Sequence, residues 1–425
     1  MWTRLIAPSP RPFHGTTVVR AAFVLALFGW GVGFYGPPIY LHAVVVRTGW
    51  PLALVSGAVT VHFLWGAAVV ACLPRLHARW GIPATTLWGA VALALGVAGW
   101  AHASQPWQLF GAALLSGGGW VPLGAAGINA MVSPWFTRQR PAALSRAYNG
   151  ASIGGMVFSP LWGTLIAHMG FGQAAWAVGV CMVSVVGWLV RLALTVTPAA
   201  LGQSPDGKTD GAPGHRAPRP PDVSWPTLPG HTLWANHRFQ TLAAAMALGL
   251  FAQIGLLTHL YALLSSGLGT QGAGWAMALA TACAIGGRTL SARCLPFTGD
   301  PRTVACTSWA VQMLGSLLLL TSPGQGPLLW AGIVLFGAGI GNTTSLPPLV
   351  AQTDFAAQDV ARVVALIVAL SQALYALAPM AFALLLATDR STSLFFGAAA
   401  CLQLLALTLL WSGRQAAPAL FPPHP

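Results

Sequence analysis

Charge is what this sequence has least of. Only 6% of its 425 residues are Asp, Glu, Lys or Arg, against roughly a quarter in a soluble domain. Glutamate is absent and Lys208 is the single lysine, so the charged residues are nineteen arginines, one lysine and seven aspartates. All seven acids (Asp206, Asp210, Asp222, Asp300, Asp354, Asp359 and Asp389) fall in loops or at the ends of apolar stretches. A chain so poor in charge cannot cover a soluble surface, and it offers no carboxylate pair for acid-base chemistry. Six cysteines (Cys72, Cys181, Cys283, Cys294, Cys306 and Cys401) sit apart, without a CxxC motif or metal-ligand spacing, and are expected to behave as small buried hydrophobes. No Ser/His/Asp set occurs either. These absences predict that the chain is not an enzyme and uses no cofactor and no metal.

What remains is apolar sequence, at 56% of residues with a mean hydropathy of +0.68. Crossing a bilayer takes roughly 20 apolar residues. Stretches of that length are read at 18–46, 51–73, 82–104, 107–133, 142–168, 172–196, 239–264, 270–294, 301–321, 326–351, 360–387 and 391–412. The fold class predicted is therefore an all-α polytopic membrane protein with twelve transmembrane helices. Its organisation is a tail (1–17), a six-helix bundle (18–196), a Pro/Gly-rich linker (197–238), a second six-helix bundle (239–412) and a tail (413–425). Arg4, Arg11 and Arg20 punctuate a proline-containing start, so the first span is expected to be retained rather than cleaved as a signal peptide.

The formal charge of +13 is scattered singly at the ends of spans, which marks topology rather than a nucleic-acid surface. When loops alternate sides, seventeen basic residues collect on the side of the termini and only Arg47 and Arg390 on the other, leaving Arg288 inside a span. Both termini are then expected in the cytoplasm, in the inner (plasma) membrane of the cell. A two-fold repeat is legible too. Leu115-Ser-Gly-Gly-Gly119 is echoed by Leu335-Phe-Gly-Ala-Gly339, and Ser159-Pro160 by Ala378-Pro379. Such repeats accompany a midplane site between two halves.

Two glycine patterns carry no nucleotide chemistry. Gly31-Val-Gly-Phe-Tyr-Gly36 lies in an apolar span without a βαβ unit, and Gly117–Gly119 is not followed by Gly-Lys-Ser/Thr. Both read as close helix packing. Asn342-Thr-Thr344 is a glycosylation sequon only formally, because it lies inside a span.

The loop Pro74-Arg-Leu-His-Ala-Arg79-Trp-Gly81 resembles the Gly-x-Leu-x-Asp-Arg-x-Gly loop of the major facilitator superfamily at Leu76, Arg79 and Gly81, with Ala78 where that pattern has Asp. Tyr35-Gly36-Pro-Pro, Gly49-Trp50, Trp135-Phe136-Thr-Arg138-Gln-Arg140-Pro-Ala-Ala-Leu144 and Gly287-Arg288 resemble its monocarboxylate and oxalate/formate branch. That resemblance implies the same fold over about 18–412 and transport of a small organic anion. The departures matter as well. Ala284 and Ile39 stand where the proton-coupled carriers place an aspartate and a lysine, and Ser371, Gln372 and Tyr375 stand in the span where the oxalate branch has a second cation. One cation suits one carboxylate, so a monocarboxylate is expected.

Arg288 is the residue to single out, because a guanidinium at membrane depth costs about 2.5–3.5 kcal/mol on insertion scales. Either it anchors an anion, or it snorkels to the surface as Arg293 is expected to do. Tyr35, Trp120, Asn149, Gln253, Asn342, Gln372 and Tyr375 are the polar candidates for the rest of a substrate site, each with an interhelical hydrogen bond or simple packing as the alternative. His62 and His259 are the candidate proton carriers. The expected partners are the organic anion and the lipid bilayer, with no nucleic acid, and the protein is expected to be monomeric. Efflux of hydrophobic or neutral compounds and a non-transporting membrane sensor remain the alternatives.

Overall fold

The computed structural model describes residues 13–207, 230–298, 300–321, 326–388 and 392–414. Most of the expected linker and tails, with Lys208, Asp210, Arg216, Arg219, Asp222, Asp389 and Arg390, lies outside the described residues. No strand occurs among the described residues.

Eight helices, or nine with one bent pair, are long and apolar enough to cross a membrane. Three of them run far beyond bilayer thickness: Leu52–His102, Arg140–Leu189 and His237–Thr298. Each is interrupted by one glycine in the left-handed region, namely Gly81 (φ 77°, ψ 161°), Gly170 (φ 78°, ψ 161°) and Gly269 (φ 70°, ψ 169°). A side chain at such a φ would clash with the backbone, so glycine is what permits the chain to turn back there without a loop. Side-chain contacts prove the reversal. Ser116 bonds both His62 (2.9 Å) and Trp100 (3.1 Å), residues that would lie about 57 Å apart along a straight helix at ~1.5 Å per residue. Tyr261 likewise reaches the carbonyl of Thr270 (3.2 Å), and Trp162 packs on Phe171 (6.5 Å). Dividing the three helices at these glycines and counting the bent pair gives twelve spans.

Span 1 comprises Gly15–Gly33 and Gly36–Thr48, spans 2 and 3 are 52–80 and 82–102, and span 4 comprises Pro106–Gly119 and Ala125–Val132. Spans 5 and 6 are 140–169 and 171–194, and spans 7 and 8 are 237–268 and 270–298. Span 9 is Pro301–Thr321, span 10 is Pro327–Ile340 with Asn342–Asp354, span 11 is Ala357–Tyr375 with Ala378–Thr388, and span 12 is Ser393–Ser412. An even number of crossings returns the chain to its starting side, so His14 and Arg414 share one face, the terminal face; the other is the far face. The outer surface carries exposed Trp65, Trp88, Trp107, Trp188 and Trp275 with many leucines, as a surface solvated by lipid requires.

The two halves repeat each other in packing as well as in sequence. Gly96 of span 3 lies against Ser116 of span 4, and Gly315 of span 9 lies against Phe336 of span 10. Gly119 and Gly339, equivalent in the sequence repeat, both stand within two residues of a break in their helices.

Each half is tied together at the terminal face by its own polar cluster. In the second half the Arg302 guanidinium, 2% exposed, donates to Asp354 Oδ2 (2.7 Å), the carbonyl of Leu410 (3.0 Å) and that of Arg238 (3.1 Å). It thereby joins the ends of spans 7, 9, 10 and 12. Arg414 pairs with Asp300 (2.9 Å) beside it and covers the Trp411 ring. In the first half the start of the linker folds back on the bundle. Asp206, the only described non-glycine residue with positive φ, accepts hydrogen bonds from the N–H groups of Thr137 (3.3 Å), Arg138 (2.9 Å) and Gln139 (3.1 Å) and from the Thr137 hydroxyl (2.7 Å). Those amides form the turn just before span 5, so the carboxylate caps that turn and ties the start of the linker to it. At the far face Arg47, in the last turn of span 1, donates to the carbonyls of Trp100 (3.3 Å) and Ala103 (2.9 Å) at the end of span 3.

Candidate functional site

The halves meet along spans 2, 5, 8 and 11 and the outer parts of spans 1 and 7. Gly163 faces Thr270, Gly274 faces Ser159 and Pro160, and Gly57 faces Met380. His42 meets Ser265 (3.2 Å) and packs on the Tyr261 ring (5.6 Å). Gly15–Gly33, span 4 and span 10 find their main partners within their own half. These contacts between the halves close the path at the far face.

At mid-depth several spans are broken, and the breaks converge. Span 1 breaks at Phe34–Tyr35, ahead of Pro37-Pro38. Pro37 has no N–H to give the carbonyl of Gly33, and the His62 ring fills the vacancy (Nε2 to O, 2.9 Å). Since a carbonyl only accepts, Nε2 carries the proton. Nδ1 then accepts from the Ser116 hydroxyl (2.9 Å), which accepts from the Trp100 indole (3.1 Å). The neutral imidazole is completely satisfied, so His62 serves to mend the break. Span 4 breaks at Trp120, ahead of Pro122, and its ring stacks on His62 (6.3 Å, 18°). Span 10 bends by 43° at Gly341. Span 11 breaks after Tyr375, ahead of Pro379.

Arg288 extends from span 8 to the break in span 10, where Nε donates to the Gly341 carbonyl (3.4 Å). A side chain at Gly341 would lie 3.1 Å from the guanidinium, so glycine clears the seat for it. Tyr35, at the break of span 1, crosses the seam. Its ring approaches Thr281, two turns from Arg288 on the same helix. Gly155 of span 5 makes this crossing possible, because a Cβ there would stand 2.6 Å from the Tyr35 ring and 2.8 Å from Thr281 Cγ2. Phe34 packs on Tyr35 (5.1 Å), on Phe63 (5.9 Å) and on Trp120 (6.3 Å), and Phe63 meets Tyr375 of the other half (6.1 Å).

Four of the residues expected from sequence, Tyr35, Trp120, Arg288 and Tyr375, are thus gathered on the seam, each at a break or bonded to one. Gln372 is half-buried one turn before Tyr375, and Asn149 is exposed on span 5. Gln253 and Asn342 are engaged elsewhere. Gln253 Oε1 accepts from Gln312 (2.8 Å) and Thr343 (2.8 Å), and Asn342 donates to Ser308 (2.8 Å) and Ser291 (2.9 Å), tying spans 7 to 10 within the second half. His259 is buried, with Nε2 on the Pro379 carbonyl (2.9 Å) and Nδ1 without a partner. Arg293 is exposed. Trp30, Phe34, Phe63, Tyr148, Gly155 and Thr281 were not foreseen. Aromatic residues and small residues are ordinary in membrane spans, and only the Gly154-Gly155 pair signals a close approach.

A groove of about 550 Å³, lined almost wholly by apolar atoms of Phe239, Ala243, Ala247, Leu370, Leu374 and Leu377, runs between spans 7 and 11. The described residues contain no cluster of His, Cys, Asp and Glu able to hold a metal ion.

The profile of the Major Facilitator Superfamily matches residues 21–379. The chain belongs to the major facilitator superfamily. Solved structures with the same fold include the nucleoside transporter NupG, at 14% identity and TM-score 0.69 over 94% of this chain and 98% of that one. A point mutant of NupG aligns at 13% identity and TM-score 0.67 over 93% and 98%. A peptide transporter POT in complex with sulfate aligns at 14% identity and TM-score 0.68 over 94% of each chain. No curated protein matches the chain in sequence. Membership makes the chain a multi-pass membrane transporter, and the two kinds of solute named for its neighbours show that the fold by itself does not select a substrate.

Proposed function

We propose that this transporter carries a small organic anion, a monocarboxylate, by alternating access, with Arg288 as its anchor. One observation carries the reading. Arg288 is half-buried at membrane depth on the seam between the halves, held by a single long bond to a carbonyl, and no carboxylate lies within ion-pair distance of it among the described residues. Arg302, more deeply buried, has Asp354. A guanidinium without a counter-ion at such a place is stabilised by whatever anion arrives. The planar fork suits one carboxylate, and the absence of a second cation nearby favours a monocarboxylate over a dicarboxylate.

The partial match to the monocarboxylate and oxalate/formate branch supports the same substrate class. The excess of arginines on the terminal face supports an inner-membrane protein with both ends of the chain in the cytoplasm, a division into two bundles (18–196 and 239–412) joined by a linker, and an inward-open state in this structure. For proton coupling through Asp or Glu the described spans offer only Asp354 and Asp359, at the terminal-face ends of spans 10 and 11 and each paired with an arginine. Of the two histidines, His259 alone keeps a ring nitrogen free, so exchange, uniport or a proton on His259 are the mechanisms that fit. A second reading, export of a neutral hydrophobic compound, is favoured by the apolar groove between spans 7 and 11, which opens no polar contact to a solute.

A thermal-shift screen of organic acids and matched neutral compounds on purified protein separates the two. Stabilisation by a carboxylate, lost in Arg288→Ala, is expected; stabilisation confined to neutral compounds would replace the anion reading with the second one.

A further inference from the structure

The body to which the carboxylate is attached can be read from the rest of the seam, granted the anion reading above. Six aromatic rings form one connected belt there. Tyr148 meets Trp30 (6.3 Å), Trp30 meets Trp120 (6.1 Å), Trp120 meets Phe34 (6.3 Å) and Phe63 (6.5 Å), and Phe63 meets Tyr375 across the seam (6.1 Å). Tyr35 carries the belt toward span 8, since its ring packs on Phe34 (5.1 Å) and closes with Thr281 on Gly155, two turns from Arg288. Trp30, Phe34, Tyr148 and Tyr375 are only half-buried. The face of span 5 that carries Tyr148 is turned to the path. Tyr148 is two turns before Gly155 on span 5, and Gly155 abuts Tyr35 and Thr281 of the opposite half.

Several polar groups beside these rings are already engaged. The Tyr148 hydroxyl donates to the carbonyl of Ala125 (3.0 Å) and both nitrogens of His62 have partners, which leaves the buried Trp120 indole N–H as the donor without one. A short hydroxy acid or an amino acid would have to strip water from its hydroxyl or ammonium group against ring faces that return no hydrogen bond. A flat apolar body loses nothing by the same transfer and gains edge and face contacts with the rings.

We propose that the transporter is selective for aryl monocarboxylates, the aromatic body seated against Trp30, Phe34 and Tyr148 with its carboxylate on Arg288. Neighbouring rings of the belt meet mostly edge to face, the arrangement an added aromatic ring can extend.

The test is equilibrium binding to the full-length protein in lipid nanodiscs, with benzoate and phenylacetate as aryl acids, acetate and lactate as aliphatic acids, and benzamide as the uncharged counterpart of benzoate. Benzoate is expected to bind about tenfold or more tightly than acetate. Trp30→Leu and Phe34→Leu are each expected to lower benzoate affinity severalfold while leaving acetate affinity unchanged. That unchanged acetate binding separates a lost ring contact from a misfolded site. Equal affinities for acetate and benzoate, or variants that weaken both acids alike, would overturn the aryl selectivity and leave the anion reading intact. Benzamide binding as well as benzoate while acetate fails to bind, or no binding of any acid, would remove both.

Discussion

Replacing Arg288 separates anchoring from snorkelling, and the structure sets the scale of each outcome. At ~1.5 Å per residue, Arg288 lies about 27 Å along span 8 from Thr270 and about 15 Å from its end at Thr298, while Arg293 is about 7 Å nearer that end. Arg288→Ala removes one long hydrogen bond, and its acceptor, the Gly341 carbonyl, keeps the Ser345 hydroxyl at 3.0 Å. The scaffold therefore loses little, and the melting temperature is expected to change by a few degrees at most. Binding should change much more. A hydrogen bond to a charged group contributes about 1.5–3 kcal/mol, which at about 1.4 kcal/mol per decade is a loss of roughly tenfold to a hundredfold in carboxylate affinity. Arg288→Lys keeps the charge but loses the fork that can hold Gly341 and two carboxylate oxygens together, so it should transport poorly. Arg293→Ala should be tolerated. The assays are calorimetric binding and uptake into proteoliposomes, with thermal unfolding as the control for folding. Full affinity in a folded Arg288→Ala protein, or lysine serving as well as arginine, would refute the reasoning.

Three further predictions concern the seam and the two clusters that brace the halves. Gly155→Val should reduce proteoliposome uptake at least about tenfold by wedging Tyr35 away from Thr281, an overpacking of about 1–3 kcal/mol, whereas Thr281→Val, which adds no bulk toward span 5, should cost far less; equal effects would exclude the steric account. Arg302→Met strands Asp354 and two carbonyls and should destabilise the protein by about 3–5 kcal/mol, against about 0–1 kcal/mol for the half-exposed Arg414 in Arg414→Ala; similar unfolding shifts in detergent for the two variants would contradict this. At Asp206 slight desolvation raises the pKa, but the bonds from Arg138, Thr137 and Gln139 outweigh it and hold the carboxyl below its ordinary 3.8. A depressed pKa makes the linker contact fully present above pH 3.8 and lost as pH falls through the lower, folded value. Asp206→Asn, which tolerates the left-handed backbone, should reproduce that loss at neutral pH as faster hydrogen exchange at 137–139. Unchanged exchange would mean that the charge is idle there.

The spans were legible because lipid imposes a length and a composition that few other constraints imitate. Gly81 was visible as part of a family-like loop, but its physical role, a reversal inside one continuous helix, was not, since φ cannot be read from sequence. Within the site, what could be read was cost. Arg288 and the residues beside proline breaks, Tyr35 and Tyr375, were conspicuous because charge and lost backbone bonds are expensive in a membrane. Gln253 and Asn342 were just as conspicuous, yet they face helices of their own half, and an amide looks the same in sequence whether it meets a helix or a cavity. Arg302 went unnoticed for the opposite reason. It is placed as an ordinary loop charge, and only the Asp300-Pro301-Arg302 run at the start of span 9 hinted that the side chain turns inward.

The distribution of strong and weak contacts explains how such a structure could move. The ion pairs described, Arg302–Asp354, Arg414–Asp300 and Arg362–Asp359, all lie within the second half, and the Asp206 cap lies within the first. Across the seam polar links are few among the described residues, His42 with Ser265 being one, and Tyr35 meets Thr281 by packing against Gly155. The remainder is the apposition of glycines to backbone and small side chains at Gly163, Gly274 and Gly57. Single dispersion contacts are worth about 0.1–0.2 kcal/mol each and can be exchanged for similar contacts after a small rotation, while a buried ion pair cannot be broken so cheaply. Motion should therefore be a rocking of two braced bundles about the seam rather than a rearrangement inside either one.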